Sequence, residues 1–200
     1  MAGSLPPLPR SASTVLGRTA VMVGVALAVT VGTGGGAGWA DTGSGVNATG
    51  TVQCSLAATI TYKPAQFNGG TRRDKLSIKG TLSACTSTGT VTVLSGKVTG
   101  GSKGGVNDCA KPWNSPVTFT VKWRASRRIN ATKGALTSLT TFNNGSNVSF
   151  NANVVTSSGS YSGDTGTLSV VTTETSTQIA NECTGSGLSS LDVTGSVSLS

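Results

Sequence analysis

Hydrophobic residues alternate with polar ones over long stretches of this chain, and the alternation begins at Thr51. Val52, Cys54, Leu56, Ala58, Ile60 and Tyr62 take every second position, and the positions between them carry mostly hydroxyls and an amide. A period of two marks an extended strand with one buried and one wet face. After a polar loop holding Pro64 and Gly69-Gly70, the pattern resumes at Leu76, Ile78, Gly80, Leu82 and Ala84. Antiparallel partners share a constant sum of residue numbers. A sum of 138 sets Tyr62 opposite Leu76, Ile60 opposite Ile78 and Leu56 opposite Leu82. Slipping by one residue would face apolar positions with polar ones. In this register Cys54 opposes Ala84, and Cys85 lies one residue out. A bulge or strand end at Ala84–Cys85 would turn that sulfur inward, which predicts a Cys54–Cys85 disulfide.

The same pattern predicts further strands at Thr90–Thr99, with Val91, Val93 and Leu94 toward the core, and at Val117–Ala125, where Val117, Phe119, Val121 and Trp123 alternate with polar residues. Gly134–Phe142 and Asn147–Val155 flank Asn143-Asn144-Gly145, a hairpin signal. Tyr161–Thr173 and Leu188–Leu199 complete the set. Gly100–Pro116 is expected to be an irregular connection, because Gly101, Gly104 and Gly105 disfavour a strand. Ile179–Gly187 is expected to be irregular as well. No apolar run recurs at helical spacing after residue 40, so no helix is expected there. About eight short strands predict an all-β fold, either an antiparallel β-sandwich or a closed β-barrel.

Composition changes this picture in two ways. Arg10 and Arg18 precede an uncharged apolar run, Thr19–Thr33, and Gly38-Trp39-Ala40 offers the small-x-small pattern of a signal-peptidase site. Residues 1–40 are therefore read as a secretory signal and 41–48 as a flexible leader, with 49–200 as a single β domain. The apolar run falls short of the ~20 residues a membrane span needs, so no stable membrane insertion is expected after cleavage. Apolar residues make up only 36% of the chain and aromatics 4%, a thin supply for a core. Four cysteines in an exported chain then imply two disulfides. With Cys54 joined to Cys85, Cys109 pairs with Cys183. Each bridge adds roughly 4 kcal/mol through loop closure.

Four segments, in order, carry a resemblance: Gly80-Thr81-Leu82-Ser83-Ala84-Cys85-Thr86, Val121-Lys122-Trp123, Gly159-Ser160-Tyr161-Ser162-Gly163-Asp164 and Cys183-Thr184-Gly185-Ser186-Gly187-Leu188. They resemble a family of small exported β-rich proteins of high-GC Gram-positive bacteria, of mycobacterial and streptomycete type. The resemblance spans nearly all of residues 41–200 and implies export and a β fold, with no chemistry attached. It departs from the family pattern at Trp123, which precedes Arg124-Ala125-Ser126 and not an aspartate-glycine turn.

Candidate chemistry is sparse. The chain has no histidine, which removes the usual serine triad and, with no Cys-x-x-Cys pair, a zinc site. No cofactor is implied. Gly100-Gly101-Ser102-Lys103-Gly104-Gly105 lacks the Gly-Lys-Ser/Thr of a phosphate loop and reads as a flexible segment. A carboxylate pair, with Asp164 and Glu182 as candidates, would permit a cell-wall glycan hydrolase. A non-catalytic binding or structural protein of the cell surface is the preferred reading, with a ligand-free secreted protein as the plain alternative. Past residue 40 the chain holds 13 basic and 7 acidic residues, a net charge of +6. Arg72, Arg73, Arg124, Arg127 and Arg128, with Trp113 as a sugar-stacking surface, form the expected contact set for an anionic cell-envelope polymer or carbohydrate. Nucleic acid is not expected, because aromatics are not interleaved with the basic residues. Amino-terminal sequencing of protein recovered from culture supernatant should begin at Asp41, whereas recovery only in membranes with residues 1–40 intact would refute the cleavage.

Overall fold

The computed structural model describes residues 45–110, 116–144 and 146–200. Eight antiparallel strands close into a barrel: β1 (Val52–Gln66), β2 (Arg73–Ser87), β3 (Val93–Val106), β4 (Val117–Ala125), β5 (Thr132–Asn144), β6 (Asn147–Ser158), β7 (Thr165–Thr175) and β8 (Leu188–Leu199). Each strand pairs with the next, and β8 pairs back onto β1, with Ile60 opposite Leu191 and Cys54 opposite Val197. Closure leaves no free sheet edge between first and last strands. It also decides between the two architectures the sequence left open, in favour of the barrel. Connections alternate between two rims. The upper rim carries the β2–β3, β4–β5 and β6–β7 connections, and the lower rim carries β1–β2, β3–β4, β5–β6 and β7–β8.

The β1–β2 register is the expected one. Tyr62 faces Leu76, Ile60 faces Ile78 and Leu56 faces Leu82. The register then shifts between Gln53 and Ser55, so that Gln53 pairs with Thr86. Ala84 takes up the extra residue with φ +47°, and this turns Cys85 inward onto Cys54, with Cα atoms 4.1 Å apart. Cys109–Cys183 closes the lower rim with Cα atoms 6.2 Å apart. Most inward positions are apolar, with Gln66, Asp74 and Thr132 among the buried polar residues, and outward positions carry threonine, serine and lysine. Transmembrane barrels show the reverse alternation.

Several elements differ from the sequence expectation. β3 runs through Gly100 to Val106 and is not irregular there. A Cβ at Gly101 would meet the Leu76 carbonyl oxygen at 2.2 Å, so the glycine marks a close strand approach and not a break. Leu94 faces out, 50% exposed, because the register shifts between Val93 and Ser95. Residues 176–184 form a helix, α1 (Ser176–Thr184). Thr175 caps it, and Gln178 returns a hydrogen bond to the Thr175 backbone N–H. This Thr-x-x-Gln capping box was legible in the sequence, but the helix has too few apolar residues to show a helical period. Residues 45–48 are seated and not loose. Ala48 is 1% exposed, its N–H donates to Ser160 Oγ and its carbonyl accepts from Tyr161 N–H. Residues 1–44 lie outside the described residues.

Packing is uneven along the barrel axis. At the upper rim Ala48, Val52, Val93, Tyr161 and Leu199 are buried, and at the lower rim Tyr62, Leu76, Cys183, Leu188 and Leu191 are buried. Between them, Leu56, Ile78, Val98, Leu136, Leu168 and Val197 point inward yet remain only half-buried. They surround two voids of about 80 Å³ and 40 Å³. Voids of that size cost about 3 kcal/mol together at roughly 24 cal/mol per Å³. The disulfides at the two rims are well placed to offset such a deficit.

Ala84 is exposed and adopts a left-handed conformation that costs an L-residue about 1–2 kcal/mol. Ala84→Gly should therefore raise unfolding free energy by about 1 kcal/mol in urea titrations while preserving the Cys54–Cys85 bridge. A loss of stability would show that the bulge is not under backbone strain.

Candidate functional site

The barrel sorts charge by side. Every lysine and arginine of residues 41–200 lies at or before Lys133, while Asp164, Glu174, Glu182 and Asp192 all follow it. In a meander barrel, consecutive strands are neighbours, so this division along the chain becomes a division around the wall. β1 to β5 present Lys63, Lys75, Lys79, Lys97, Lys103, Lys122, Arg124 and Lys133 outward, all exposed. The outer faces of β6, β7 and β8 carry no basic residue.

Cross-strand register stacks these cations into rows. Lys63 pairs with Lys75, and Lys75 pairs with Lys103. One row up, Ser77 faces Gly101, which faces Thr118. The next row sets Lys79 beside Thr99, then Thr120, then Lys133. Above it, Lys97 pairs with Lys122. Like charges in directly opposed positions repel and weaken a sheet. Among the described residues these lysines have no carboxylate partner within ion-pair distance.

The Ser77–Gly101–Thr118 row is a saddle between two lysine rows. No side chain rises from its centre, because Gly101 has no room for a Cβ. The result is an open groove of about 560 Å³ across β2, β3 and β4. Lys75, Lys79 and Lys103 flank it, and Ser77, Thr99, Ser102 and Thr118 contribute polar groups. Lys75 and Lys79 stand four residues apart on β2, roughly 13 Å along the strand. Ammonium groups on either side of a hydroxyl-lined floor can hold a linear ligand whose anionic groups recur along its length, with hydrogen bonds to the units between.

The residues singled out by sequence are dispersed. Arg72 lies in the β1–β2 connection and Arg73 opens β2, both at the lower rim, whereas Arg127 and Arg128 lie in the β4–β5 connection at the upper rim. A single arginine patch at one end is thus excluded by the parity of the connections. Arg124 sits on β4 opposite Ser95, at the upper margin of the lysine wall. Trp113 lies outside the described residues. Trp123 faces the barrel interior, donates from Nε1 to Thr132 Oγ1 at 2.8 Å and meets Tyr161 edge-on at 5.8 Å, so it offers no stacking surface outside. Period-two spacing within each strand does not reveal lateral neighbours, so the lysine rows are not legible in the sequence.

The carboxylates do not converge as expected. Asp164 lies in the β6–β7 connection at the upper rim, where its carbonyl accepts from Thr156 N–H and its own N–H donates to Tyr161. Glu182 lies on α1 at the lower rim. The acids that topology does bring together are Glu174 and Asp192. Glu174 Oε1 accepts from Asp192 N–H, and Asp192 Oδ1 accepts from Thr59 Oγ1 at 2.6 Å. Among the described residues no group of three or more acids or cysteines is placed to hold a metal ion.

Asp74 is the acid on the basic half that faces inward. It is 8% exposed and accepts from Gln66 Nε2 at 2.5 Å, beneath the buried Tyr62. Burial raises its pKa above the ordinary carboxylate value, against the opposing effect of the Gln66 hydrogen bond. Burial, then the Asp74 charge, pushes the Tyr62 phenol up as well. No protein-family model, curated protein or solved structure matches this chain.

A raised folded-state pKa means that Asp74 favours folding fully while neutral, below about pH 4, and that this contribution is lost as pH rises through the folded value. Asp74→Asn keeps an acceptor for Gln66 and removes the charge. Urea titrations should show it more stable than the parent at pH 7, with the gain shrinking by pH 4. An equal difference at both pH values would show that the carboxylate does not titrate between them.

Proposed function

We propose that this protein is an exported, disulfide-stapled barrel of the cell surface that binds a linear anionic glycan along the groove over β2–β4. The observation that carries this reading is the pair of lysine rows, without an acid partner among the described residues, on either side of a low floor formed by Ser77, Gly101 and Thr118. The fold does not require those cations. Threonine at the same outward positions would serve strand formation better and avoid the repulsion between Lys63, Lys75 and Lys103. An anionic ligand turns that repulsion into attraction. Among the described residues the groove is lined by no aromatic side chain of the kind on which single-stranded nucleic acids stack. The two disulfides support export, because such bonds persist in oxidising compartments. Lys97, Lys122 and Arg124 extend the cationic surface beyond the groove, and the rim arginines at 72, 73, 127 and 128 lie at its two ends. The reading involves no catalysis.

Exposed charges are screened within about 8 Å at physiological ionic strength, so binding should weaken steeply with salt. Fluorescein-labelled polygalacturonate, followed by anisotropy, should bind the parent protein. It should bind the Lys75→Glu, Lys79→Glu, Lys103→Glu variant at least tenfold more weakly. Reversal of Arg127 and Arg128, on the upper rim, should cost less than threefold. Equal losses from the two variants, or binding indifferent to salt, would refute the groove. Oligo(dT) of matched charge binding as tightly would refute the preference for a glycan.

A further inference from the structure

The hollow waist of the barrel is independent of the lysine wall and has a different chemistry. Its two voids lie end to end along the axis and share Leu56, Ile78, Leu136 and Leu168 as a common constriction. The larger is toward the upper rim, bounded also by Trp123 and Val98, and the smaller is toward the lower rim. Their lining is wholly apolar. Water needs two to four polar partners to occupy a cavity, so these chambers hold none stably. An engineered cavity of about 150 Å³ with similar lining stays dry and takes benzene or xenon. The two chambers together approach that size, but in a long and narrow shape.

One seam of the wall is short. β4 and β5 share five register pairs, from Val117–Leu136 to Val121–Thr132. Among the described residues, β5 beyond Thr137 pairs with β6 alone. Trp123, Phe119 and Leu136 line the larger chamber at this seam. Parting it breaks fewer backbone hydrogen bonds than parting the neighbouring β3–β4 or β5–β6 seam.

The geometry points to the barrel lumen as a binding site for a single slender, unbranched alkyl group, admitted at the β4–β5 seam beside Trp123. The guest needs no polar group inside, because none awaits it. Leu56, Ile78, Leu136 and Leu168 sort by width, passing a methylene chain through rotamer adjustment and excluding rings and branches.

Trp123 makes the site readable. In the full chain carrying Trp39→Phe and Trp113→Phe, Trp123 is the remaining tryptophan. Brominated alkyl probes quench indole fluorescence on contact. Titration with 1-bromohexane tests a free hydrocarbon, and 12-bromododecanoate tests the chain of a lipid with its head group outside. Saturable quenching by either is expected, and the probe that saturates first identifies the source. Val98→Phe fills the larger chamber and should weaken the saturable component at least tenfold. If circular dichroism shows that variant to be unfolded, Val98→Leu serves in its place, with a smaller loss expected. Quenching that rises linearly with both probes overturns the site. So does saturable quenching left unchanged in a folded Val98 variant.

Discussion

Closure of β1 onto both β2 and β8 is the constraint on which the remaining features depend. A strand paired on both sides has one face left for the core and one for solvent, and β1 meets this with an unbroken alternation from Val52 to Tyr62. Closure forces the inward-facing alternate positions of every strand to converge on one axis. It also forces the connections to alternate between rims. From that follow the separation of Arg72 from Arg127, the separation of Asp164 from Glu182, and the assembly of the lysines into one wall.

The rims and the waist are built differently, and the difference has a physical source. With few aromatic side chains available, the interior is filled where Tyr62 and Tyr161 lie and underfilled where leucine and valine must span it. The disulfides sit where loops must be held down over the filled ends. Cys109–Cys183 ties the β3–β4 connection to α1, whose single buried residue is Cys183. Cys54–Cys85 fixes the bulge that ends regular β1–β2 pairing. A protein of this composition obtains through covalent closure part of what a denser core would supply.

Charge follows a similar economy. The outward face of a strand tolerates almost any polar residue, so its identity is free to serve a purpose other than folding. In the first half of the barrel that freedom is spent on lysine, in rows that repel one another, and in the second half on hydroxyls with a few acids. Glycine at position 101 serves both demands. It permits the close approach of β2 to β3, and it leaves the centre of the floor between the lysine rows low.

The residues alone determined whatever depends on local period and on one neighbouring strand. The alternation of β1, β4 and β8, the β1–β2 register, the Asn-Gly hairpin and the Cys54–Cys85 pairing belong to this class, because a period-two pattern and a loop length specify them, and Cys109–Cys183 then follows by elimination. What required tertiary structure was lateral order beyond the first neighbour. Barrel closure, the rim to which each connection belongs and the adjacency of Lys75, Lys79 and Lys103 are set by how eight strands go round. No single strand's pattern contains that information. β3 and α1 lie between the two. The β3 glycines look like breakers until β2 is seen pressing against them, and the α1 capping box is local but its packing is held by one distant cysteine. The lumen is the least legible of all, since its hollowness is a sum over inward side chains from every strand, and only their shared axis reveals that they do not meet.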